Sequence, residues 1–187
     1  MAFRYAFDER KATQAAGLII SKAGGSLNYM KLIKLLYLAN REAFRRWGRP
    51  IIPDSYFSLP KGPILSTVLN LINEEPPPGT DSFWIKHISA PDAYKVHLIG
   101  DPGTDELSSI EMSILDNVVK RYREMDEWKL VEWCHRNLSE WRNPQGSCIE
   151  IPPEQILKAV GWDSAAIKPH LEEEEQYQIE GQILHKA

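Results

Sequence analysis

Cysteine is scarce: the 187 residues hold two, Cys134 and Cys148. Two thiols make no disulfide framework and suit a reducing compartment. No run approaches the roughly eighteen apolar residues of a membrane-spanning helix, and Met1 to Lys11 is charged, without the apolar core of a signal peptide. A cytoplasmic protein without membrane contact is expected. The five histidines, at 87, 97, 135, 170 and 185, lack the four-residue spacing that helical zinc sites commonly use. Cys134, His135 and Cys148 come nearest to a metal cluster, but adjacent helical residues diverge by about 100°. No metal is expected. Ala23-Gly24-Gly25-Ser26 lacks the lysine of a phosphate-binding loop. No nucleophile elbow occurs, and carboxylate pairs such as Asp126-Glu127 lie in polar surroundings that would not raise a pKa. With no catalytic constellation, neither enzymatic activity nor a cofactor is expected.

What is present is enough apolar sequence, 43%, for one sizeable core, with 26% charged residues. Helical periodicity dominates. Asp8 can cap a helix carrying Ala12, Ala15, Ala16, Ile19 and Ile20, and Gly24-Gly25 ends it. Ser26 or Asn28 opens a second helix that runs to about Trp47 before Gly48 and Pro50. Its middle is apolar almost all round, which predicts a central core element. Arg49 to Pro63 reads as an ordered loop packed by Tyr56, Phe57 and Leu59, and a short helix is expected from Pro63 to Asn73. Glu74 to Gly79 reads as an exposed connection. Phe83–Ile88 and Tyr94–Ile99 alternate roughly and predict a β-hairpin. Helices should follow from Ser108 or Ser109, from about Asp126, and from Pro152-Pro153.

The expected fold is mainly α: a compact multi-helix single domain, residues 1–161, around a central apolar helix, with one small β-hairpin. Residues 162–187, with Glu172 to Glu175, form an acidic polar tail that is either a short helix or disordered.

Charge is unevenly placed. Residues 1–50 hold ten Lys/Arg against three Asp/Glu, a net of +7, which leaves −11 for the remainder of a chain whose total is −4. On the second helix Lys31, Lys34, Arg41 and Arg45 share one edge. This edge, extended by Lys61, is either the candidate surface for a charged partner or a set of cations that pairs with the acidic remainder of the same chain. The alternative is a nucleic-acid-binding regulator that uses the same edge on phosphates. A sequence pI near 5.8 weighs against nucleic acid.

The run Lys31-Leu32-Ile33-Lys34-Leu35-Leu36-Tyr37-Leu38-Ala39-Asn40-Arg41, then Gly48-Arg49-Pro50-Ile51, then Lys61-Gly62-Pro63, resembles the Panacea domain of SocA-like antitoxins. Leu107-Ser108 with Glu111 and Leu115, and a helix bearing His135 followed by Trp141, match in the same order, so the resemblance covers about residues 8 to 143. It implies an antitoxin that neutralises a cognate toxin encoded nearby by protein contact. Some members of the family are linked to prophages or deliver the toxin to a protease system. It further implies that Leu36, Tyr37, Gly62, Pro63, His135 and Trp141 are structural, Gly62-Pro63 shaping a loop-to-helix turn.

Overall fold

The computed structural model describes residues 6–73 and 81–184; the connection expected at Glu74 to Gly79 lies outside them. Helix α1 (Glu9–Lys22) starts where the Asp8 carboxylate accepts from the Lys11 amide, and it buries Ala12, Ala15, Ala16, Ile19 and Ile20. A short strand β1 (Ser26–Asn28) leads into α2 (Tyr29–Trp47), which is capped by the Asn28 side chain on the Met30 amide. Every residue from Leu32 to Asn40 is buried, and α2 touches α1, α5 (Ser109–Arg121), α6 (Glu127–Asn137) and α7 (Pro153–Ala159). The helix that is apolar nearly all round is therefore the hub of the packing.

Gly48 ends α2 in the left-handed conformation at φ 81°. A Cβ there would run into Trp162 and the His170 ring, which belongs to the long helix α8 (Ser164–Leu184). Trp162 Nε1 donates to the Phe44 carbonyl, and His170 Nε2 lies 3.0 Å from the Gly48 carbonyl. Residues 164–184 of the expected tail are helical, and the first turns, with buried Ile167, close over the end of α2. Farther along, Tyr177 and Ile179 are exposed.

Antiparallel β structure exists, but not where alternation placed it. Phe83–Ile88 is mostly a short helix, α4 (Phe83–His87), rather than a strand. Its buried residues, Trp84 and Ile88, stand four apart, and the Glu9 carboxylate accepts from the Trp84 amide and the Ser82 hydroxyl at its start. Over six residues a spacing of four satisfies both periods, and packing on α1 selected the helix. The second segment forms β4 (Lys95–His97), which pairs with β1 and meets the first only at the Ile88↔Leu98 bridge and the adjoining Ile99-to-His87 hydrogen bond.

The hairpin is instead β2 (Tyr56–Leu59) and β3 (Gly62–Leu65), inside the stretch read as a loop and a helix start. Gly62, at φ 97°, follows the Pro60-Lys61 turn in a conformation that favours glycine. Pro63 is tolerated because β3 is an edge strand, in the order β3-β2-β5 with β5 (Ile149–Ile151). The helix expected from Pro63 begins later, as α3 (Ser66–Asn73). Its start is held by buried Asp54, which accepts from the Thr67 and Val68 amides.

Candidate functional site

The single exposed basic edge expected along α2 does not form. Lys34 is 1% exposed, and its ammonium donates to the Pro63 carbonyl at 2.7 Å. Burial lowers its pKa to about 8. Arg41 is mostly covered: its Nε donates to Glu140 at 2.6 Å, and the Glu140 carboxylate is fully buried. Lys31 is half-buried and donates to the Arg123 carbonyl. Arg45 is exposed but forks onto Glu42 through Nε and an NH2 group. Lys61 is exposed at the hairpin turn, 5.2 Å from the Trp128 ring centre. Lys31, Lys34 and Arg41 find partners 29 or more positions away, beyond the reach of a helical projection, whereas Arg45 pairs within its own helix.

The motif residues hold the interior together. Glu140 takes a second hydrogen bond from the Tyr37 hydroxyl at 3.2 Å, and its backbone carbonyl accepts from Gln155. Burial and then Glu140 hold the Tyr37 hydroxyl well above the ordinary tyrosine range. Asn40 donates to the Ile52 carbonyl and accepts from the Ile52 amide, fixing the exit from α2. Gly62 leaves room for Lys34, whose Cε would stand 3.0 Å from an added Cβ. Leu36 is fully buried.

His135 stacks on Trp141 at 3.9 Å and 16°, and Trp141 Nε1 donates to the Leu59 carbonyl. Burial, with Lys34 adding to it, lowers the His135 pKa. Burial raises the neighbouring Cys134 thiol to about 11, although Lys34 pulls it down. A protonated, buried thiol is no nucleophile. Among the described residues no group of three or more His, Cys, Asp and Glu could hold a metal ion, and no helix is long and apolar enough to cross a membrane.

Among the concave features of the described residues, two gather side chains that sequence reasoning did not bring together. The first, about 380 Å³, opens between α2, α5 and α6. Arg41, Arg45, Arg46 and Arg121 line it together with Glu42. Arg45 and Arg46 both bond the Glu42 carboxylate, and these bonds hold its pKa at about 2. Leu38, Ile114 and Val118 supply apolar lining, with Tyr122 and Trp133 in edge contact 4.9 Å apart. The three arginines at helix ends were legible one by one, as last-turn cations of α2 and α5. Their convergence was not.

The second feature, about 250 Å³, is lined by Tyr29, Tyr94, Lys61, Glu127 and Trp128. Tyr94 is 71% exposed and Trp128 56%. Tyr94 stacks on Tyr29 at 6.4 Å and is presented by a two-residue turn in which Ala93 and Tyr94 both have positive φ, 45° and 66°. Such turns favour Gly and Asn, so the backbone here is strained to display the ring. A signal for Trp128 was available: on a 100° projection it lies about 115° from the mean direction of buried Leu130, Val131 and Cys134.

The family model described as "Antitoxin SocA-like, Panacea domain" matches residues 32–142, from the second helix through the His135 and Trp141 stack. Neither the curated proteins nor the solved structures contain a match to the chain.

Proposed function

The chain belongs to the SocA-like Panacea antitoxin family, and from that premise we propose that it neutralises a cognate protein toxin by direct, stoichiometric binding. The family match across residues 32–142 is the observation that carries this reading, and its description names an antitoxin rather than an enzyme. The geometry agrees with contact rather than chemistry. Leu36 packs in the core and Tyr37 and Trp141 make internal hydrogen bonds, while the aromatic groove is displayed outward. Exposed Tyr and Trp of limited side-chain freedom are the commonest energetic anchors of protein interfaces. Nucleic-acid binding through the α2 edge finds no support, because Lys34 and Arg41 are turned inward.

The toxin is proposed to be encoded beside this chain, since the pair must be made together, and the complex to form in the cytoplasm, in a prophage setting for some loci. Co-expression with the adjacent reading frame should restore growth and give a co-purifying complex. Failure of both with either neighbouring frame removes the reading. A protease system is the further partner proposed: the toxin's half-life should shorten when the antitoxin is present, and an unchanged half-life would remove that part alone.

A further inference from the structure

We infer that the arginine-lined cleft between α2, α5 and α6 receives a carboxylate-bearing segment of the toxin, with an apolar side chain of that segment seated beside the carboxylates. The inference rests on the antitoxin reading above. Its first support is charge. Four guanidinium groups line the cleft against two carboxylates, Glu42 beside them and the buried Glu140 that holds Arg41, in a protein whose total charge is −4. Last-turn cations complement helix dipoles, and that accounts for each of Arg45, Arg46 and Arg121 separately. It does not account for their facing one cavity, nor for Arg41, which reaches it from the middle of α2.

The second support is preorganisation. Arg41 is pinned by the fully buried Glu140. Arg45 and Arg46 are pinned by Glu42, one through a two-point fork and the other through Nε. Guanidinium groups held in place before the partner arrives lose little side-chain freedom on binding, and their planar donors match carboxylates bidentately. Arg121 packs its guanidinium 5.6 Å from the Tyr122 ring centre and has no acidic partner among the described residues. It is the group with its donors open.

The third support is the mixed lining. Leu38, Ile114 and Val118 offer a small apolar floor, which a bare phosphate backbone would leave uncovered. A single cavity is also no track for a nucleic-acid strand, whose binding draws on a run of cations. An acidic peptide segment uses both the charge and the floor.

The test uses the purified full chain and the purified product of the adjacent reading frame, with association and dissociation followed by surface plasmon resonance at two salt concentrations. Arg46→Glu with Arg121→Glu should slow association about tenfold or more and flatten its salt dependence. Arg121→Gln, which disturbs no internal ion pair, should weaken binding in the same direction. Arg136→Glu with Lys168→Glu, the same charge change placed elsewhere, should leave the rate within about twofold. Wild-type binding that the cleft variants retain unchanged overturns the inference and leaves the antitoxin reading standing. Wild-type protein that binds neither neighbour removes both. Two further outcomes would also overturn it: wild-type self-association lost in the cleft variants would assign the cleft to a second copy. Retention of a random DNA duplex or RNA, lost in the same variants, with toxin binding intact, would assign it to nucleic acid.

Discussion

The ammonium of Lys34, on the central helix, lies 2.7 Å from the carbonyl oxygen of Pro63, on the edge strand of the hairpin. Gly62, just before it, has no Cβ to displace the lysine. Two motif pieces 29 residues apart are therefore one contact, and this explains why a lysine occurs amid a buried apolar run.

The Lys34 contact makes stability depend on pH. Its folded pKa, about 8, is below the ordinary lysine value of 10.5, so above pH 8 the unfolded chain binds the extra proton and stability rises with pH. Cys134 acts in the opposite sense, since its thiol is raised from 9.0 to about 11 and costs stability in that window. Wild-type protein should thus gain about 1 kcal/mol between pH 8 and 9 and then level off. Urea titrations of wild type and Lys34→Met at pH 7.5, 8.5 and 9.5 check this; the variant should lack the rise.

Glu140 is another buried ionisable group. Arg41→Met should cost about 3–5 kcal/mol, because it leaves a carboxylate buried with only the Tyr37 hydroxyl on its side chain. Tyr37→Phe should cost about 1 kcal/mol. Chemical denaturation of the two variants measures the difference, and equal losses would refute this account of the pair.

Gly48→Ala should lower stability by about 1–3 kcal/mol, from the left-handed backbone and from the collision with Trp162 and His170. The strain should appear first as faster amide exchange in residues 162–171, read by mass spectrometry. Unchanged exchange there would mean that Gly48 does not anchor α8.

Trp128→Ala should leave the melting temperature within about 2 °C, since an exposed ring contributes little to folding. If Trp128 anchors the toxin, affinity should fall about thirtyfold, the scale of a loss near 2 kcal/mol at an interface centre. Full rescue of growth by Trp128→Ala with Tyr94→Ala would take the aromatic groove out of the interface.

The long helices were determined locally. Asp8, Asn28, Ser108 with Glu111, and Asp126 each cap the helix that follows, and apolar residues at three- and four-residue spacing give each helix its buried face. These signals act within one or two turns, so sequence alone carries them, and the order of the motif pieces carried the family as well. Tertiary structure decided what depends on distant partners. Packing on α1 and the Glu9 carboxylate made Phe83–His87 a helix although its apolar residues also fit a strand. The hairpin arose at Tyr56–Leu65 because β5, some ninety residues later, pairs with its other edge. Lys34 and Arg41 turned inward because Pro63 and Glu140 were there to receive them. Arg45, Arg46 and Arg121 read in sequence as ordinary helix-end cations, and only the packing of α5 against α2 brought them to one cleft.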